Sequence, residues 1–156
     1  MMNEVGSIPS FLGEGLCFAL DVDDGWPPVA VEEVPHEKVS GGFRILTAPL
    51  FVRDLSVGDI ILVERDEMGY VTSWSHVSRS GHTTIWLMCL QQTSATAGIL
   101  DDLREIGCDT VSAAQLGIYA VDVPPAISME RVDALLDGLN EEQVAVAFPS
   151  FRHEEV

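Results

Sequence analysis

Lysine is all but missing. Lys38 is the only one in 156 residues, and Lys and Arg together number 8 against 25 Asp and Glu, for a formal net charge of −17. A surface so poor in positive charge repels nucleic-acid phosphates and anionic membranes, so neither is an expected partner. No apolar run approaches the roughly 18 residues that a membrane span needs. The start, Met1-Met2-Asn3-Glu4-Val5, has no basic residues and no apolar run, so no signal peptide is expected. Cysteine is scarce and odd in number. Cys17, Cys89 and Cys108 form no C-x-x-C, which argues against a disulfide framework and for a reducing, cytoplasmic setting. No H-x-x-x-H or H-E-x-x-H occurs, and Gly13-Glu14-Gly15 lacks the third glycine and the following helix of a dinucleotide loop. Neither a metal nor a cofactor is therefore expected.

What is present is an ordinary interior. Hydrophobic residues make up 47% of the chain, and the mean hydropathy is +0.22, which argues against disorder. The acidity has no local focus. Residues 1–90 carry 13 acidic and 5 basic side chains, and residues 91–156 carry 12 and 3. The whole surface thus carries the field, which draws basic partners and speeds encounter with them.

Residues 1–14 read as a loose arm, rich in glycine with few paired apolar positions. Short strand-like runs follow at Leu16–Leu20, Val29–Val34, Phe43–Ala48, Ile60–Glu64 and Tyr70–Trp74. A loop is expected from Pro35 to Gly42. Asp21-Val22-Asp23-Asp24-Gly25 reads as a turn, because Trp26-Pro27-Pro28 interrupts any calcium loop. Several short strands separated by turns predict a small barrel or rolled sheet over residues 15–82.

Thr84–Leu90 has little polar relief and reads as a central strand. Ala95, Ile99, Leu103 and Ile106 then recur at helical spacing, with Thr93 or Ser94 available as a cap. Strands at Cys108–Val111 and Gly117–Val123 follow, then a helix capped by Ser128 with a Val132, Leu135, Leu136, Leu139 stripe, then a strand at Val144–Phe148. The order βαββαβ predicts a ferredoxin-like unit over residues 83–150, followed by a tail at 151–156. The expected class is α+β, a β-rich N-terminal half packed on a ferredoxin-like C-terminal half.

Asp24-Gly25-Trp26-Pro27-Pro28, Pro49-Leu50-Phe51, Leu55-Ser56-Val57-Gly58-Asp59, Ser80-Gly81-His82-Thr83-Thr84 and Ala120-Val121-Asp122-Val123-Pro124 occur in this order. Together they resemble a bacterial family catalogued as domain of unknown function four-two-six-five, over about residues 15–150. The resemblance implies a bacterial, stand-alone protein and carries no activity.

The best candidate ligand site is the loop Arg79, Ser80, His82, Thr83 and Thr84. Its hydroxyls, titratable imidazole and guanidinium suit a carboxylate or phosphate. The alternative is a strand-entry turn whose Ser and Thr satisfy backbone groups, and this is favoured. A hydrolase pairing Ser80 with His82 is disfavoured, because no G-x-S-x-G elbow surrounds Ser80. The histidines otherwise read as solvent-facing, and adjacent acids such as Glu32-Glu33 as solvated. Asp101, Asp102, Glu105, Glu141 and Glu142 are the candidate partner-binding carboxylates. The leading expectation is a non-catalytic acidic protein that engages a basic protein partner, for instance an immunity or antitoxin-type neutraliser. A small-molecule sensor or enzyme using the Arg79–Thr84 loop is the second, and a homodimer formed by sheet pairing the third.

Overall fold

The computed structural model describes residues 15–91 and 95–153. The expected arm at 1–14 and the cap at Thr93 or Ser94 lie outside them. Strands β1 (Gly15–Ala19), β2 (Val31–Val39), β3 (Gly42–Ile45), β4 (Ile60–Arg65) and β5 (Val71–Ser78) form a closed barrel. Neighbours are antiparallel except at the closing seam, where Phe18 of β1 pairs in parallel with Val71 of β5. Alternation of side chains sends Leu16, Phe18, Val34, Ile45, Ile61 and Val71 inward, each nearly or fully buried. Each such side chain contributes roughly 1.5–3 kcal/mol on burial.

The expected loop at 35–42 is instead mostly strand. β2 pairs with β1 as far as Pro35 and with β3 from His36 onward, opposite Ile45. Proline has no N–H to donate, and it stands where the strand changes partner, so the strand continues through it.

The second half holds β6 (Thr83–Cys89), α1 (Ala95–Glu105), β7 (Asp109–Ala113), a 3₁₀ turn at Ala114–Leu116, β8 (Ile118–Val123), α2 (Met129–Leu136) and β9 (Val144–Ser150). Its four strands form an antiparallel sheet in the order β7-β8-β6-β9. The fold is α+β and rich in sheet. Ile85, Leu87, Val121 and Val123 pack with Leu103 and Val132 from the two helices to form a second core. Ser128 caps α2, its Oγ accepting the Glu130 amide at 3.2 Å.

The helices cover one face of this sheet, and the barrel sits on the other. Trp86, between Ile85 and Leu87, points away from the helices, and its indole N–H donates to the Pro49 carbonyl at 2.8 Å. The Thr84 hydroxyl meets Ser56 Oγ at 2.7 Å, and that oxygen also donates to Ser150 Oγ at 2.9 Å. Three buried hydroxyls thus join the barrel to two strands of the sheet.

Candidate functional site

The joint between the halves is organised by the turn Leu55-Ser56-Val57-Gly58-Asp59. Gly58 has φ +86°, where an L side chain is strained, and a Cβ there would also crowd the Ser80 Cβ at 3.0 Å, so glycine suits the position. The turn aims Asp59, which is fully buried, at the end of the sheet. Its carboxylate accepts the Ser56 amide at 3.0 Å, the Ser80 amide at 2.7 Å and His76 Nε2 at 3.0 Å. Arg152 closes the set as a two-pronged fork, Nη1 to Oδ1 at 2.9 Å and Nη2 to Oδ2 at 3.0 Å. Burial alone would raise the Asp59 pKa. The Arg152 hydrogen bonds, with the Ser80 and Ser56 amides, outweigh it and hold the carboxyl below its ordinary value. Arg152 also donates to the Ser80 carbonyl at 3.1 Å.

Arg152 and His153, expected to belong to a tail, are therefore built into the joint. Thr83 Oγ1 accepts the Arg152 and His153 amides at 2.8 and 3.2 Å. Its own proton goes to His153 Nδ1 at 2.7 Å, and His153 Nε2–H donates to the Pro124 carbonyl at 3.0 Å. A carbonyl accepts only, so this pattern assigns the proton to Nε2. His76, His82 and His153 are thus bonded partners, not the solvent-facing histidines expected, because the two halves meet over them.

The Arg79–Thr84 loop is placed at this joint and most of its polar atoms are spoken for. Ser80 Oγ donates to the Val57 carbonyl at 2.5 Å and accepts the His82 amide at 3.3 Å, so the Ser80–His82 pair that a hydrolase needs is not made. Arg79 pairs with Asp54 at 3.1 Å, where both are exposed. His82 Nδ1 donates to Asp122 Oδ1 at 2.7 Å, and its Nε2 has no hydrogen-bond partner among the described residues. Asp122 is buried. Desolvation raises its pKa, Asp109 across the β7–β8 ladder adds to the rise, and the His82 hydrogen bond opposes it.

The candidate carboxylates fall in two places. Asp101, Asp102 and Glu105 lie on α1, with Asp101 paired to Arg104 at 3.1 Å. Glu141 and Glu142 lie in the turn before β9. There Glu141 joins Asp133 and Asp137 along a cleft of about 540 Å³, whose apolar wall includes Leu136, Val146 and Phe148. Asp137 caps the C-terminal end of α2, and no basic residue occupies that last turn. Carboxylates there oppose the helix dipole, which favours cations. β9 is an edge strand, its sequence Val-Ala-Val-Ala-Phe-Pro-Ser has no charge, and Phe148 is 44% exposed. The opposite edge, β7, begins with the exposed Asp109.

A family profile described as Domain of unknown function (DUF4265) matches residues 32–147, from β2 to near the end of β9. The chain belongs to this family. Among solved structures, the DUF4265 chain is similar to a hypothetical protein from Neisseria gonorrhoeae. The identity is 18% over 90% of this chain and 94% of that one, and the TM-score of 0.66 establishes a shared fold. No functionally curated protein matches.

The DUF4265 match takes in Asp59, Ser80, His82 and Asp122 but stops short of Arg152. Glu32, at the start of the match, was expected to be solvated with Glu33. It is instead buried, and its carboxylate accepts the amides of Leu50, Phe51 and Val52 at 2.5, 2.8 and 3.1 Å. Sequence reasoning also missed Asp59, Arg152, Asp133 and Asp137. A signal existed for Asp122, the only polar side chain between Ala120 and Val123 in an apolar strand.

Proposed function

We propose that this DUF4265 protein is a non-catalytic binding protein that takes an extended, basic segment of a partner protein along β9. The observation that carries the reading is the uncharged edge strand beside a cleft lined by Asp133, Asp137 and Glu141. Natural edge strands are guarded by charge, prolines or bulges, and a bare apolar edge invites another strand to pair. Pro149 and the register shift opposite Thr84–Trp86 guard only one end of β9. A second copy of the chain would bring like charge to the same place, so charge complementarity favours a basic partner over self-pairing. A neutraliser of a basic toxin is the specific form, its carboxylates standing in for the phosphates that such a partner binds. The strand order β7-β8-β6-β9 with both helices on one face supports reading the presenting unit as ferredoxin-like. Three free thiols fit a reducing cytoplasm, and no helix among the described residues is long and apolar enough to cross a membrane.

The test is titration of ¹⁵N-labelled protein with a short alternating Val/Lys peptide and with its Val/Glu counterpart. The Lys peptide should shift amides of β9 and α2 with an affinity that falls as salt rises, and Val146→Lys should abolish the effect. Equal binding of the Glu peptide, or shifts away from β9, would refute the reading. Concentration-dependent sedimentation without any peptide would favour the homodimer instead.

A further inference from the structure

A second cleft, separate from β9, lies where the barrel meets the sheet. It has a volume of about 370 Å³ and is lined by Trp26, Phe51, Trp86, Leu20, Asp21 and Arg53, among others. It draws Trp26 and Pro27 from the 24–28 stretch and Phe51 from the 49–51 stretch, none of which hydrogen-bonds to the Asp59–Arg152 cluster. We propose that this cleft binds a guanidinium-type organic cation, its flat face against the aromatic rings and its charge facing Asp21.

The backbone that carries Trp26 and Phe51 and the indole of Trp86 are each tied by hydrogen bonds, so much of the site exists before any ligand arrives. Trp26 sits on a two-residue turn, with Asp24 at φ 55° and Gly25 at φ 78°. That turn is closed by Asp23 N–H to the Trp26 carbonyl at 2.9 Å and by the return bond at 3.1 Å. Phe51 is fixed through its amide to Glu32, and Trp86 through its indole N–H to Pro49. Trp26 and Phe51 meet edge to face, with ring centroids 6.0 Å apart, and Trp26 remains 43% exposed. Burial in a core does not account for an indole left this open.

The sign of the ligand follows from two observations. The Arg53 guanidinium lies 5.3 Å from the centroid of the Trp86 ring, so this wall already accepts such a cation from within the chain. Asp21 provides the opposite charge, and the field of a chain at −17 concentrates cations and excludes anions. Arg53 is exposed and acts as an internal occupant that an incoming guanidinium displaces from Trp86.

The experiment follows the indole N–H resonances of Trp26 and Trp86 at constant ionic strength. Ethylguanidinium, an arginine-containing tripeptide and propionate are added in turn. Saturable shifts with either cation and none with propionate are expected. Ethylguanidinium binding marks the source as a free small molecule, and binding of the tripeptide alone marks it as a side chain of a peptide. Trp26→Ala should abolish the Trp86 shift. Arg53→Ala should tighten binding about two- to fivefold, the equivalent of the cation–π contact it no longer makes. Asp21→Asn should weaken it, with thermal melts confirming that all three variants fold. Propionate binding that Arg53→Ala abolishes would make the cleft an anion site and overturn the proposal. Unshifted indoles with both cations at about 10 mM, well into the millimolar range where a weak ligand still saturates, would overturn it too.

Discussion

Replacing Asp59 by Ala tests whether the joint is held by charge. The change removes a carboxylate with no solvent exposure and leaves Arg152, only 10% exposed, facing the amides of Ser56 and Ser80. Removing one member of a buried ion pair costs about 3–5 kcal/mol. Asp54, 54% exposed and 3.4 Å from Arg152, offers the orphaned guanidinium a partial replacement, which places the expected loss near the lower figure. With a urea m-value of about 2 kcal/mol/M, a loss of about 3 kcal/mol moves the midpoint down by roughly 1.5 M. The native pKa of Asp59 is depressed, so its stabilisation is complete above the ordinary aspartate range near about 4 and is lost as pH falls through the native value. The gap between wild type and Asp59→Ala should therefore narrow in acid. Arg152→Ala should cost a similar amount, and the double variant less than the two together, with a coupling of about 0.5–3 kcal/mol. A loss under about 1 kcal/mol, typical of exposed pairs, or strict additivity, would refute the reasoning.

His82→Ala leaves Asp122 buried without its hydrogen bond. The expected loss is about 1–3 kcal/mol at pH 7. The Asp122 pKa is already raised, so protonation relieves the strain, and the loss should shrink as pH falls through that raised value, as denaturation at pH 7 and in acid would show. Glu32→Ala should strand the amides of Leu50, Phe51 and Val52, costing about 1–3 kcal/mol and speeding hydrogen exchange at those three positions. Burial pushes the Cys108 thiol up to about 11, so a thiol reagent at pH 8 should label it only after denaturation.

Much of the scaffold was legible because it is written locally. Leu16 and Phe18 alternate, the apolar stripe ending at Ile106 has a helical period, and Ser128 announces its own helix. Glu32 was legible in principle: with Val34 inward, a residue two positions earlier shares that face. The charge of its side chain argues for solvation and the spacing for burial, and the spacing wins because three backbone amides receive the carboxylate. The partnership of Asp59 with Arg152 leaves no local trace, since 93 residues separate them. Of the hydroxyls of Ser80, Thr83 and Thr84, only that of Ser80 serves a nearby backbone group, the His82 amide; their other partners come from the 55–57 turn and residues 152–153, which leave no local trace. The bareness of β9 could not be read either, because a short apolar strand becomes an edge only when the sheet order is known.

That long separation has a consequence during synthesis. A ribosome delivers the barrel first, and its carboxylate waits without its guanidinium, held by the Ser56 and Ser80 amides and His76, while the whole sheet emerges. The clasp closes only when residue 152 is free of the exit tunnel. Newborn chains should thus pass through a stage with a complete barrel and an open acidic notch, the moment at which a stray cation or a chaperone has its clearest access.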